Sequence, residues 1–278
     1  MEQKEIRFQK VRDISEVMSD SFDFLKQEIR PLSKVILIYV LPFVIVYAGA
    51  QVYFQRNVLS QFDLSNTESI MANIGPFYLN LLVFMFFGIF IQTLLAGTYF
   101  TYIEAYVKHG RNGFSVSDIS GHFFSNSLLA LGAALVYTLA IFAGALFCLV
   151  PGIFLANTLS LILFIVIFHK KGLSHALTLS WKLVNSQWWN TLAINIIGIL
   201  IVYAISLVFS FPTIIMGITG SFAAVATESP LNYPNWYWLL TSVSSMVTTI
   251  LLVIPYTFQA FQYFNLVERV NLTDLSPE

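Results

Sequence analysis

Residues 172–192 read GLSHALTLSWKLVNSQWWNTL. The stretch is too polar to span a bilayer and too apolar for a plain loop. It holds three of the five tryptophans: Trp181, Trp188 and Trp189. On a helix, Leu173, Ala176, Leu177, Ser180, Trp181, Val184 and Trp188 follow the i, i+3, i+4 rhythm of one face. Ser174, His175, Thr178, Lys182 and Asn185 fall on the other. This pattern predicts a helix lying in a membrane interface with its apolar side down.

The chain around it is 57% hydrophobic and only 10% charged, where a soluble protein carries about 25% charged residues. That deficit predicts an integral, all-α membrane protein. The net charge of -1 argues against a nucleic-acid partner, which calls for a basic surface. The single cysteine, Cys148, excludes an intramolecular disulfide and a Cys-rich metal site. Residues 1–30 are densely charged with no apolar core, so the first span is expected to stay as an anchor rather than act as a cleaved leader.

Outward from the opening stretch, six apolar spans are expected: about 34–54, 75–107, 128–150, 153–168, 191–216 and 236–267. Each carries enough apolar sequence for a bilayer core. Residues 1–10 read as a mobile tail. Residues 11–30 read as an amphipathic helix that Pro31 ends, because a residue before proline disfavours the helical region. Residues 55–74 form a polar connection. Residues 116–127 form a second amphipathic element, with Val116, Ile119, Phe123 and Phe124 apolar. Pro151-Gly152 reads as a tight turn between spans three and four. Residues 217–235 form another long connection. The whole chain, 1–278, reads as a single transmembrane domain.

Orientation follows from the Lys and Arg residues between spans. The segment through Lys34 carries seven. Later connections alternate, so thirteen of the fourteen fall on one side and Arg56 alone on the other. Six spans with both termini cytoplasmic are expected. Trp236, Tyr237 and Trp238 fit an aromatic belt at the far interface.

All three amphipathic elements then lie on the cytoplasmic side, each before an odd-numbered span. A possible three-fold internal repeat of interfacial helix, span, outer turn and span follows, at about 11–107, 116–170 and 173–270. Ser15, Ser19, Ser21, Phe22, Phe24 and Leu25 match Ser174, Thr178, Ser180, Trp181, Leu183 and Val184 at a constant offset. The shared topology makes these parallel repeats rather than inverted ones.

Intramembrane polar residues are costly and often mark function. Gln92, Thr93, Asn157, Thr158, Asn195, Gln259 and Gln262 lie in spans. They are candidates for a polar path; as interhelical hydrogen bonds they would each contribute about 0.6 kcal/mol. The second reading carries more weight. Glu104 lies near the cytoplasmic end of its span. His109, His122, His169 and His175 share that side without zinc-ligand spacing. No nucleophile motif or phosphate loop is present, so no catalytic residue, cofactor or metal is expected. Phe22, Phe124, Trp181, Trp188 and Trp189 are the candidate contacts to lipid or a partner.

Pro151-Gly152-Ile153 opening a span, with Ala176-Leu177, Ser180-Trp181 and Trp188-Trp189 in the following helix, resembles a bacterial family of polytopic membrane proteins without an assigned activity. That family is related to the membrane domain attached to some glycerophosphoryl diester phosphodiesterases and to the YciC-like group. The matching residues cover about the middle third of the chain. The phosphodiesterase activity itself belongs to a separate soluble domain, for which this chain has no room, so the resemblance implies no enzyme. Because the distinctive residues lie at the interface rather than mid-membrane, a scaffold or accessory subunit in envelope or lipid homeostasis is expected, in the bacterial inner membrane that the resemblance implies, with membrane lipids and possibly other membrane or cytoplasmic proteins as partners. A transporter or permease component for a lipidic or small amphiphilic solute is the alternative.

Overall fold

The computed structural model describes residues 6–59, 67–111, 113–121, 123–227 and 233–270. Every regular element among them is helical: α1 (Ile14–Tyr39), α2 (Leu41–Phe54) with a π-helical tail (Gln55–Leu59), α3 (Thr67–His109), α4 (Val116–Ser120), α5 (Phe123–Phe147), α6 (Leu149–Thr158), α7 (Ile162–His169), α8 (Leu173–Ser186), α9 (Trp188–Thr227), α10 (Asn235–Leu251) and α11 (Val253–Val270). Five helical segments are long and apolar enough to cross a membrane: 74–109, 123–147, 149–169, 188–222 and 235–270. A sixth is added if α1 and α2 with its tail count as one broken span. Large apolar side chains on these segments face outward, among them Leu82, Phe142, Leu146, Leu200 and Val208. The chain is an integral, multi-pass membrane protein by this architecture.

Three prolines lie just inside helix boundaries. Pro42, Pro151 and Pro255 each sit at the second or third position of a new helix, after breaks at Val40, Cys148 and Leu252. Proline lacks an N–H and crowds the carbonyl four residues back, yet a helix's first turn needs no N–H partner. The expected Pro151-Gly152 turn is therefore one step displaced. Extended Cys148 (φ -174°, ψ 154°) is the corner, and Pro151 lies inside α6.

Pro31 behaves differently from expectation. It does not end a helix; α1 runs through it from Ile14 to Tyr39. Its missing N–H frees the carbonyl of Gln27, and Arg111 Nη2 donates to that oxygen at 3.4 Å. The start of α1 is fixed by Asp13. Its carboxylate accepts from Glu16 N–H at 2.7 Å, while Glu16 accepts from Asp13 N–H at 3.1 Å.

The chain divides into two compact units. One comprises residues 1–40, 92–200 and 252–278; the other comprises 41–91 and 201–251. In the first, α1 packs on α11, and α5 packs on both α6 and α7. Its core is aromatic. Phe8, Phe24, Tyr106 and Phe261 interlock, with Phe8 stacked on Phe261 at 4.4 Å. Phe100, Phe164, Tyr263 and Phe264 continue the cluster. Close helix approach depends on Gly97, where a Cβ would lie 2.6 Å from Ser127 Cα.

Residues 6–10 are not a free tail. Phe8 is buried in that core. The Arg12 side chain is buried and donates to Asp20, Phe8 O, Lys10 O and Arg7 O.

In the second unit α2 packs on α10. Tyr47 stacks on Phe84 at 5.3 Å, and Phe54 stacks on the same ring at 4.8 Å. Thr248 Oγ1 donates to Ser206 Oγ at 2.9 Å. The Arg56 guanidinium lies 5.8 Å over the Trp238 ring. Parts of the two expected polar connections, residues 60–66 and 228–232, lie outside the described residues.

Candidate functional site

The first unit holds several polar groupings and an exposed aromatic surface. The inner grouping forms where the fourth expected span is interrupted. α6 ends at Thr158 and α7 starts at Ile162, leaving residues 159–161 between them. Such a break frees backbone carbonyls that must be satisfied away from water. Ser180 Oγ donates to Thr158 O at 2.8 Å, and Trp188 Nε1 donates to Thr158 Oγ1 at 3.2 Å. Asn157 Nδ2 donates to Trp188 O at 3.0 Å, and Asn195 Nδ2 donates to Asn157 Oδ1 at 2.9 Å. Thus Asn157, Thr158 and Asn195, all candidates from sequence, do meet, and they meet each other.

The remaining candidates do not join that group. Gln262 is buried and donates to Thr191 Oγ1 at 2.9 Å, while Asn265 Nδ2 donates to Gln262 Oε1 at 2.9 Å. Asn265 Oδ1 then accepts from Arg12 N–H at 2.8 Å and Arg269 Nε at 3.1 Å. Arg269 Nη2 closes the circuit on Arg12 O at 2.7 Å. The two ends of the described chain are clasped this way. Thr93 is buried on α3, Gln92 is exposed and Gln259 is half-buried. Among the described residues, neither of these glutamines bonds to the Asn157 group.

The second grouping lies where α3 and α7 end together. Lys108 Nζ and Lys170 Nζ both reach Oε1 of buried Glu104, at 2.8 and 3.1 Å. Nearby, Arg111 Nε pairs with buried Glu28 at 3.0 Å, and Tyr102 donates to the other Glu28 oxygen at 2.5 Å. A cavity of about 340 Å³ opens beside Glu104 and is lined also by Thr101, Lys108, His109, Asp118 and Lys170. Asp118 accepts from Ser115 N–H at 2.7 Å and from Ser115 Oγ at 2.9 Å. Those bonds hold its carboxyl below the usual carboxylate range. His169 shares a 2.6 Å hydrogen bond with Tyr263, and its ring lies 5.3 Å from that of His175. His122 lies outside the described residues.

The aromatic surface is on α8 and the start of α9. The buried face of α8 is Ala176, Leu179, Ser180, Leu183 and Val184. It is rotated from the face read in sequence, because Leu179 and Leu183 pack inward. Trp181 is left 46% exposed, edge-on to Phe154, and Trp189 is 76% exposed. Trp188 instead stacks on Phe154 and is held by Thr158. Phe124 is exposed at the start of α5. Phe22 packs its edge on Phe258 of α11 at 5.6 Å.

Two features were not fully readable in sequence. Glu104 and Lys108 stand four apart on one helix and were readable as a pair. Lys170 joins them through a left-handed helix cap (φ 55°) that no spacing announces. The Arg12–Asn265–Arg269 clasp spans more than 250 positions and has no local signature. No family model, curated protein or solved structure matches this chain.

Proposed function

We propose that this chain is a non-enzymatic, six-span protein of a bacterial inner membrane, with both termini cytoplasmic. It acts as a scaffold or accessory subunit in envelope or lipid homeostasis. Its amphipathic segments, related by a three-fold repeat, lie in the cytoplasmic interface and contact lipid headgroups or a protein partner. The observation that carries this reading is the contrast within α8–α9. Trp181 and Trp189 are exposed while the adjacent Asn157 network closes on itself. Tryptophan favours the headgroup level because its ring is apolar and its N–H polar.

The clustering of Arg12, Lys108, Arg111, Lys170 and Arg269 through contacts in the first unit supports a common side for these cations. The positive-inside rule assigns that side to the cytoplasm. The resemblance carried by Pro151-Gly152-Ile153, Ser180-Trp181 and Trp188-Trp189 points to the same class of protein. A transporter, the alternative, would call for a continuous polar path through Gln92, Asn157 and Gln259; among the described residues no hydrogen bond links either glutamine to Asn157.

The test is association of the purified protein with anionic vesicles or membrane extracts after Trp181→Ala with Trp189→Ala. Association is expected to fall while helical content is retained. Unchanged association would contradict the reading. Trp188→Ala serves as the contrast, since it is expected to act through stability.

A further inference from the structure

The cavity beside Glu104 has an unusual charge pattern for its place in the fold. It lies at the C-terminal ends of two apolar helical segments, α3 and α7, where a span meets water. Its walls carry two ammonium groups, Lys108 and Lys170, and two carboxylates, Glu104 and Asp118. Formal charge from these four cancels. A simple anion would enter beside a buried carboxylate, and a simple cation beside two ammonium groups. Either would meet repulsion along with attraction. A molecule carrying both signs, spaced by a few bonds, can meet a partner of opposite charge for each of its signs.

Glu104 is the organiser. Its carboxylate is buried, and a single oxygen, Oε1, draws both ammonium groups to within 3.1 Å. Two lysines are thereby held side by side despite their mutual repulsion. Each ammonium has three N–H donors, and the bond to Glu104 uses one of them. Both lysine side chains are about half exposed, at 50% and 44%, so the remaining donors reach the opening. Lysine is a strong point-charge partner for phosphate. The volume of about 340 Å³ falls in the range of small-ligand pockets, roughly 300–1,000 Å³.

We propose that this cavity binds a zwitterionic phosphoethanolamine group, with its phosphate on Lys108 and Lys170 and its ammonium toward Asp118. The group can come from a phosphatidylethanolamine headgroup at the rim of the spans or from free O-phosphoethanolamine. The site rests on the membrane reading above only in placing this rim at headgroup level. It does not involve Trp181 or Trp189.

The full chain, purified in a mild detergent, is titrated with dihexanoyl phosphatidylethanolamine, dihexanoyl phosphatidylglycerol and O-phosphoethanolamine, with binding read by microscale thermophoresis. Saturable binding of phosphatidylethanolamine is expected, at least about tenfold tighter than phosphatidylglycerol, which lacks the amine. Lys108→Gln and Lys170→Gln are each expected to weaken it by about tenfold, in line with losing one charge-assisted bond. Competition by O-phosphoethanolamine at similar concentration assigns recognition to the group alone. Competition only by the lipid assigns it to the anchored headgroup. Equal affinity of wild-type protein for the two lipids overturns the proposal, and needs no variant to fold. So does unchanged affinity in both lysine variants. Loss of vesicle association in the tryptophan variants, with this selectivity intact, separates the two sites.

Discussion

Asn195 donates its side-chain amide to the side-chain oxygen of Asn157 at 2.9 Å, joining α9 to the broken span formed by α6 and α7. Asn157 in turn donates to the backbone of Trp188 at 3.0 Å, so its amide is satisfied on both sides. These are residues that sequence alone leaves open between a polar path and a helix tie, and both of these bonds run between α6 and α9.

A double-mutant cycle with Asn157→Ala and Asn195→Ala should therefore show a coupling of about 0.6 kcal/mol. Asn157→Ala alone should cost about 1–2 kcal/mol, because it strands both partners. Thermal unfolding in detergent measures both. Additive single losses would mean the two amides are not bonded.

Gly97 and Gly132 should respond oppositely to alanine. At Gly97 a Cβ would collide with Ser127 Oγ and lie 2.6 Å from Ser127 Cα, so backbone must move. A loss of about 1–3 kcal/mol is expected. At Gly132 nothing lies within 4 Å, and removing glycine from a helix interior should stabilise by up to about 1 kcal/mol. Melting temperatures of the two variants should move in opposite directions.

Phe8→Ala tests whether the N-terminal segment belongs to the core. Phe8 is 4% exposed and contacts Phe24, Tyr106, Phe261 and Phe264. A loss of about 3 kcal/mol is expected, with new protease cleavage near Lys10. A tail without contacts would give neither.

The pH response of α4 follows from Asp118. Its folded carboxyl sits below the ordinary value because Ser115 N–H and Oγ–H bond the charged form. The capping contribution is thus complete above the ordinary carboxylate pKa and lost as pH falls through the lowered one. Hydrogen exchange at residues 115–120, corrected for intrinsic rates, should quicken only at that acid limit. In Asp118→Asn the acid-dependent change should vanish.

The spans were legible in the sequence because their apolar composition is long-range and redundant. The Pro151 corner was legible to within a few positions, since proline acts on local backbone, whereas the breaks before Pro42 and Pro255 fall inside stretches that read as continuous spans. Pro31 was misread for a tertiary reason: Arg111 supplies the donor its helix lacks. The face of α8 was misread because it has apolar side chains on two sides. Leu179 and Leu183 face protein, while Trp181 faces outward. Burial of Phe8 and Arg12 depends on α11, more than 240 residues away, and no pattern near residue 10 signals it.

The most direct test of the proposed interfacial role is the depth of α8 in a bilayer. Cys148 is exposed and must first be replaced, for example by Cys148→Ser. Spin labels are then placed at Trp181→Cys and Trp189→Cys in reconstituted protein, and accessibility to oxygen and to a water-soluble nickel complex is compared. Both labels are predicted to lie about 5–10 Å below the headgroup surface. Labels fully accessible to the nickel complex, or placed at the bilayer centre, would contradict the account.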